Sequence, residues 1–363
     1  MTERSDVLVV GAGTAGLSAA HHLAQRGLSV AVFEARHPFG PTLFKEIGLC
    51  LVGLLDPENR LEHGLGPEAT RDVTRFSIDA VHAVREAAER LGCPALAGHV
   101  ERRPMNETEA ADLARSMPIL RECGARVRET GGGSICVEDD LLVDVRAFHA
   151  GLVRGLSRIS PATPVERIRV EADGVVAETK EGPHRAEIAI LANGPRIGEL
   201  RADLETAVFP FRGQGARFTS ALPRGSARGV VSQFGHENYV VETTGDLVAF
   251  GFNPTGRRED VGLSEAPTSE FQTYLLRFAR ERFPELKDRQ PERTWAAPLA
   301  FTRDGLPLVG PVPGEPRVLV AAAFCGRGMP LAFEAGKRLS ALVAGDTPAI
   351  PRAFSLRRTA IAG

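Results

Sequence analysis

Residues 6–36, DVLVVGAGTAGLSAAHHLAQRGLSVAVFEAR, constrain this chain more than any other stretch. Asp6–Val10 is a short apolar, β-branched run, the pattern of a strand buried on both faces. Gly11-Ala12-Gly13-Thr14-Ala15-Gly16 follows at once and opens a segment with apolar residues at Leu17, Ala20, Leu23 and Ala24, which is helical spacing. Gly27 stops that helix, Ser29–Phe33 reads as a second buried strand, and Glu34 stands at its end. This register predicts a site for the ADP half of a dinucleotide. Gly11 makes the tight turn, Gly13 lets the backbone approach a pyrophosphate, and Gly16 lets helix and strand pack closely. Thr14 and Ala15, in the first helical turn, face the phosphates. Glu34 lies about twenty residues on, where a carboxylate accepts ribose hydroxyls, with Ala35 and Arg36 beside it. An ordinary glycine-rich turn accounts for the glycines but not for the placed acid.

At 363 residues the chain can bury one large or two medium domains. A composition of 43% hydrophobic and 25% charged residues is that of a soluble globular protein, and a net charge of −2 gives no reason to expect nucleic acid or an anionic membrane as partner. No apolar run approaches the roughly twenty residues of a membrane helix. The first strand begins at once, so no signal peptide and a cytoplasmic location are expected. The five cysteines (50, 93, 123, 136 and 325) lack metal or disulfide spacing and read as thiols, with Cys325 set apart by its glycine-rich turn. His63, His82 and His99 have no ligand spacing, and no metal site is expected.

Further along, Ala35–Thr42 is polar and proline-broken, hence loop. Lys45 and Glu46 interrupt an apolar stretch from Leu43 to Leu55, either near chemistry or in a solvated turn. Gly66-Pro67-Glu68 starts a long helix that Gly92 ends, and Asn106-Glu107-Thr108-Glu109 caps a shorter one that Pro118 is expected to close. Val165–Ala192 reads as a three-stranded meander turning at Asp173-Gly174 and Glu181-Gly182. It ends in Leu191-Ala192-Asn193-Gly194, small residues that let a backbone approach a cofactor. Phe209–Phe252 alternates as antiparallel sheet, Thr268–Phe283 is a helix, and Val318–Ala323 is a buried strand. The turn Phe324–Gly328 then opens a final helix, Met329–Ala344, whose N-terminal N–H groups offer partial positive charge.

Together GAGTAG with Glu34, the meander ending in LANG, FTRDGLPLVGP and the closing VLVAAAFCGRGMPLAFEAGKRLSALVAGD resemble the D-amino-acid oxidase-like family of FAD-dependent oxidoreductases, the glycine oxidase and sarcosine oxidase type. The resemblance covers nearly the whole chain. It implies an α/β, two-domain fold: a Rossmann-type FAD-binding domain from 1–50, 140–209 and 300–363, and an antiparallel-sheet substrate domain from 51–139 and 210–299. It implies FAD held by Gly11–Gly16 and Glu34, Val165 near the adenine, Asn193 and Gly194 close by, and the flavin ring near Thr42–Gly48, Asp304 and Gly326–Met329 (Gly326, Arg327, Gly328, Met329). It also implies oxidation of the C–N bond of a small amine or amino acid by hydride transfer to flavin N5, giving an imine, with O2 or another acceptor reoxidising the flavin. A flavin-dependent 2-hydroxy-acid oxidoreductase and an electron-transfer subunit are the alternatives.

The chain departs from the family pattern at several positions. Gly326-Arg327-Gly328 stands for a Gly-His-Gly turn, Pro330 for a lysine linked to oxygen reactivity, and Leu299 for a carboxylate-binding arginine. Trp295–Leu299 contains no tethering cysteine, so FAD is expected to be non-covalent, with Trp295 as a wall. Arg327 is the candidate for a moved carboxylate anchor, against an internal pair or a contact with FAD itself. Tyr239 and Lys45 are the further catalytic candidates, and Arg212 is a surface candidate beside the pocket.

Overall fold

The computed structural model describes residues 4–36, 45–97, 100–219, 229–231, 238–241, 245–252 and 258–358. From the N-terminus the chain forms β1 (Arg4–Val10), α1 (Thr14–Gln25), β2 (Val30–Phe33), β3 (Leu49–Cys50), α2 (Glu58–Leu65), α3 (Pro67–Leu91), β4 (Ala95–Ala97) and β5 (Val100–Arg102). Next come α4 (Glu107–Glu122), β6 (Val127–Gly131), β7 (Ser134–Val137), β8 (Leu141–Val143), α5 (Val145–Val153) and β9 (Ile159–Ser160). Then follow β10 (Val165–Glu171), β11 (Gly174–Thr179), β12 (Gly182–Leu191), α6 (Ile197–Leu200), β13 (Phe209–Phe218), β14 (Gly229–Val231), β15 (Asn238–Val241) and β16 (Leu247–Phe252). The chain closes with α7 (Ser269–Arg282), β17 (Arg293–Phe301), β18 (Leu308–Val312), β19 (Glu315–Ala322) and α8 (Gly328–Val343). It divides into two compact units: Met1–Leu43, Arg146–Phe209 and Ala300–Gly363 form one, Phe44–Val145 and Pro210–Leu299 the other.

A mixed sheet organises the first unit. Its parallel centre runs β9-β2-β1-β12-β19. Strand β12 serves two partners along one edge: its first half pairs antiparallel with β11, closing the β10–β11–β12 meander, and Ala189–Leu191 pair in parallel with β19. Apolar residues on successive strands (Leu8, Val10, Ala31, Leu191, Val320) form one buried cluster. The parallel strands read as continuous apolar runs because both faces are covered. Helices α1 and α8 pack backbone to backbone. A Cβ on Gly336 would lie 2.4 Å from the Ala15 carbonyl oxygen, and the Ser18 hydroxyl donates to the Phe333 carbonyl at 2.6 Å.

In the second unit a larger sheet runs β17-β13-β16-β15-β14-β5-β7-β6, beside a small sheet β3-β8-β4. From β13 to β6 its neighbours pair antiparallel except where β14 meets β5 in parallel, a crossover that alternation cannot reveal. One face packs on α7: Ala216, Phe218, Leu247 and Ala249 bury Phe271, Leu275 and Phe278. On β13, Gly213 and Gly215 leave room for rings. A Cβ at Gly215 would sit 2.3 Å from Trp295 Cζ2, and one at Gly213 2.5 Å from Phe250 Cζ. Helix α3 starts at Pro67 and stops at Gly92 in the left-handed conformation. In α4 the Asn106 side chain accepts the Glu109 N–H, and Glu109 reaches back to accept the Met105 N–H. Pro118 does not close α4 as expected; it lies inside the helix. Burial of Met117, Ile119 and Leu120 carries the helix past the missing hydrogen bond. Arg102 and Asp140 form a fully buried ion pair at 3.0 Å in this unit, with Arg102 also donating to the Val52 carbonyl. Helix α2 has no sequence signal beyond a short amphipathic run.

Candidate cofactor site

The glycine-rich turn between β1 and α1 is closed by its own backbone. Gly11 has φ +100°, and a Cβ there would lie 2.5 Å from the Ala192 carbonyl oxygen, so the strand-end turn is possible only without a side chain. A Cβ on Gly16 would fall 1.9 Å from the Gly11 carbonyl oxygen, the closest backbone approach of the motif. Gly13 differs: nothing lies within 4 Å of the place a Cβ would take. No side chain caps α1 and no acid stands in its first turn. Its first-turn N–H groups have no acceptor within the helix and present partial positive charge beside the open space at Gly13. That cradle suits an anionic pyrophosphate.

At the end of β2, the Glu34 carboxylate accepts the Ala12 N–H at 2.8 Å with one oxygen and the Arg36 N–H at 2.8 Å with the other. It ties the glycine turn to the segment that follows β2 while keeping lone pairs for further donors. The backbone of residues 34–36 is held by Ser160 and by the N–H groups of Ala162 and Thr163, which fixes Ala35 and Arg36 beside the strand end. Thr14 is buried. Its hydroxyl lies 2.9 Å from His149 Nε2 on α5 and 3.8 Å from Met329 Sδ on α8. Burial holds the His149 imidazole neutral, with its pKa lowered to about 4. Sequence reasoning passed over His149, because nothing local links it to a residue so distant in the chain.

The other expected cofactor residues of the first unit fall around the ends of its strands. Val165 opens β10 against the core cluster, and the Asn193 amide donates to the Arg196 carbonyl just before Gly194, whose φ is +59°. Gly326 (φ +81°), Arg327 and Gly328 lead into α8, with Arg327 in the cap position and its N–H donating to the Phe324 carbonyl at 2.9 Å. The Arg327 side chain is buried, and Met329 follows in the first turn. Asp304 is engaged bidentately by Arg358, at 2.6 and 3.0 Å. Burial raises its pKa, but the Arg358 hydrogen bonds and charge outweigh that and keep it below the usual carboxylate value.

Lys45, Gly48 and Tyr239 belong to the second unit. Lys45 Nζ lies 2.7 Å from Glu265 Oε2, a pair 220 residues apart in sequence, with the lysine side chain only 9% exposed. Gly48 has φ +72°, and a Cβ there would strike the Val143 carbonyl at 2.1 Å. Tyr239 stands on β15 opposite Ala249, whereas Asn238 is the register partner of Phe250. Arg212 is not on the surface. It is buried, its guanidinium donating to Asp260 at 2.9 Å and to the Glu259 carbonyl, because β13 points it into the loop 258–266. Thr42 lies outside the described residues, as does His99. None of the five cysteines is in a disulfide, and Cys325 is buried and pushed up to about 11 by burial.

A parallel sheet whose first crossover makes a capless, glycine-lined cradle and whose second strand ends in an acid defines a dinucleotide-binding α/β enzyme fold. Residues 6–342 match the family model described as FAD dependent oxidoreductase, and the chain belongs to that family. It is an FAD-dependent enzyme. Glycine oxidase of Pseudomonas aeruginosa is 27% identical over 96% of this chain and 97% of that one. Among solved structures, glycine oxidase from Geobacillus kaustophilus superposes with a TM-score of 0.81 at 22% identity, covering 98% of this chain and 99% of that one. L-proline dehydrogenase from P. horikoshii gives the same TM-score of 0.81 at 19% identity, covering 98% and 97%. Among the described residues no helix is long and apolar enough to cross a membrane.

Proposed function

We propose that this enzyme oxidises the C–N bond of a small amine or amino acid, giving an imine that water hydrolyses. The observation that carries this reading is the full-length likeness to proteins named for glycine and proline. When bound, non-covalently on this reading, FAD supplies the acceptor for the hydride that leaves the carbon next to nitrogen. The first unit is the FAD-binding domain and the second the substrate domain. Gly11, Gly13, Thr14, Ala15 and Gly16 hold the pyrophosphate, and Glu34 the ribose, with Ala35 and Arg36 alongside. Val165 borders the adenine, with Asn193 and Gly194 nearby. The start of α8 (Gly326, Arg327, Gly328, Met329) faces the ring, with Asp304 nearby. There the uncapped N-terminal N–H groups stabilise added negative charge in a preorganised way. Arg327 pairs with the substrate carboxylate. A substrate amine bound unprotonated needs no protein base. Tyr239 and Lys45 complete the substrate side, with Lys45 charge-balanced by Glu265.

The test is anaerobic. The visible spectrum of the purified protein is recorded before and after adding amines, amino acids and 2-hydroxy acids, and air is then admitted. Bleaching by an amine or amino acid is expected, and recovery in air separates use of O2 from use of another acceptor. Bleaching by hydroxy acids alone would transfer the reading to C–OH chemistry, and a protein that cannot be loaded with FAD would overturn it.

A further inference from the structure

Just before α8 the backbone is held where residues with a Cβ rarely go. Ala323 has φ +56° and Cys325 φ +49°, two non-glycine residues in the left-handed region on either side of Phe324, with Gly326 at +81° completing the turn. Such a conformation persists only where neighbours over-determine it. Here the neighbours form a chain of hydrogen bonds. The Cys325 thiol donates to the Ala323 carbonyl at 3.1 Å and lies 3.6 Å from the Thr302 hydroxyl, and the Cys325 N–H donates to the Ala300 carbonyl at 3.2 Å. The Thr302 hydroxyl donates to the Leu306 carbonyl at 2.8 Å. That carbonyl also accepts from Arg358 Nη2 at 2.7 Å. Arg358 then closes the loop: Nη1 donates to the Pro307 carbonyl at 2.8 Å, and Nε and Nη2 grip Asp304, whose carboxylate in turn accepts the Leu306 N–H at 3.2 Å. Thr302 and Cys325 are buried, so water does not compete for these bonds.

We propose that Thr302, Cys325 and Arg358 are positioning residues for the bound cofactor: one clamp, reaching from the C-terminal segment through loop 302–307, holds the left-handed turn 323–326 and so fixes the direction in which α8 begins. The inference rests on the reading that the start of α8 faces the flavin ring. It assigns Asp304 a particular part, that of organising the loop through Arg358. It also explains why a thiol suits position 325. The side chain is small enough for a left-handed residue, apolar enough for the core, and still able to donate to a carbonyl two residues back.

Two variants that leave the net charge unaltered test the clamp. Arg358→Lys keeps the charge but loses the bidentate fork, and Thr302→Val keeps the shape but loses the hydroxyl. The readouts are the midpoint potential of bound FAD and the thermal midpoint of the FAD-free protein. If the clamp aims α8, both variants bind FAD but favour its reduced form about tenfold less, a shift of about 30 mV to more negative potential for a two-electron couple. Thr302→Ser restores the hydroxyl and the potential. An unchanged potential with a lowered thermal midpoint would make the network merely structural and overturn the proposal. Should either variant fail to fold, Cys325→Ala removes the thiol alone and must move the potential in the same direction, an unmoved value again being fatal to the clamp. A wild-type protein that cannot be loaded with FAD would overturn the site reading itself, which separates that failure from failure of the clamp.

Discussion

Glu34 gives the sharpest prediction, because its carboxylate ties the glycine turn and is also proposed to hold the ribose, two tasks that a single substitution separates by size. In the FAD-free protein it accepts two backbone N–H groups, Ala12 and Arg36, each at 2.8 Å. A hydrogen bond to a charged group contributes about 1.5–3 kcal/mol net. Glu34 is half-buried, so water partly replaces what is lost, and about 2 kcal/mol for the pair is the reasonable figure. In a chain of this length that lowers Tm by about 3 °C. If, as proposed, the same carboxylate accepts ribose hydroxyls of bound FAD, losing that charge-assisted bond costs roughly another 2 kcal/mol, or about thirtyfold in Kd. Glu34→Ala is therefore expected to soften the protein as well as to weaken FAD binding, not to leave the fold untouched. Glu34→Gln keeps one carbonyl acceptor and should fall about halfway on both scales. Tm of the FAD-free protein and a flavin-fluorescence titration measure the two separately. A Kd within twofold of wild type in Glu34→Ala, with the Tm drop present, would refute the ribose assignment and leave Glu34 as a purely structural latch.

Arg327→Leu should raise KM for a carboxylate-bearing substrate by about 2 kcal/mol equivalent, roughly thirtyfold, while FAD content stays constant. FAD loss instead would move Arg327 to the cofactor. Lys45→Met and Glu265→Gln break the same ion pair from opposite ends, so both should lower Tm. Only the lysine variant should lower turnover if the ammonium acts at the site, and equal turnover in the two would remove it from the chemistry. His149 and His184 both have pKa values lowered to about 4, His149 by burial and His184 by burial and then the Arg158 charge. The unfolded chain takes up these protons near pH 6.5 and the folded chain only near 4, so stability falls as pH drops through that window, by about 3 kcal/mol per buried histidine at the most. His149→Gln should flatten the slope of Tm against pH between 6.5 and 4, and an unchanged slope would exclude it as a source. Gly336→Val places a side chain where the Ala15 carbonyl already sits and should separate α1 from α8, costing several °C in Tm and FAD affinity together.

What could be read in the sequence is what local chemistry dictates. The unit from β1 to Glu34 is legible because its parts are adjacent: Gly16 answers to the Gly11 carbonyl within the motif and Gly11 to Ala192 at the neighbouring strand end. Helix α3 is legible for the same reason: Pro67 and Gly92 state its ends. The β10–β11–β12 meander announces its turns. Pro118 misleads because propensity is local while the burial of Met117, Ile119 and Leu120 is not. Gly48, Gly213 and Gly215 look like loop or strand glycines until the structure brings the Val143 carbonyl, Phe250 and Trp295 against them.

The harder limit concerns charge. A sequence shows that a lysine, an arginine or an aspartate lies near a motif, but whether that charge is available depends on a partner that need not lie nearby in the chain. Lys45 meets Glu265, Arg212 meets Asp260, and Asp304 meets Arg358, across separations of 220, 48 and 54 residues. Each pairing converts an apparent site residue into one whose charge is already balanced, and balance changes what it can do. A paired aspartate organises a loop rather than binding a cation, and a paired guanidinium fixes a strand to its neighbour rather than gripping a substrate. The candidate list from sequence is thus a list of residue types in the right neighbourhood. The structure sorts it by asking which charges are already balanced, and that sorting is why Asp304 is grouped with Thr302, Cys325 and Arg358 in organising the loop.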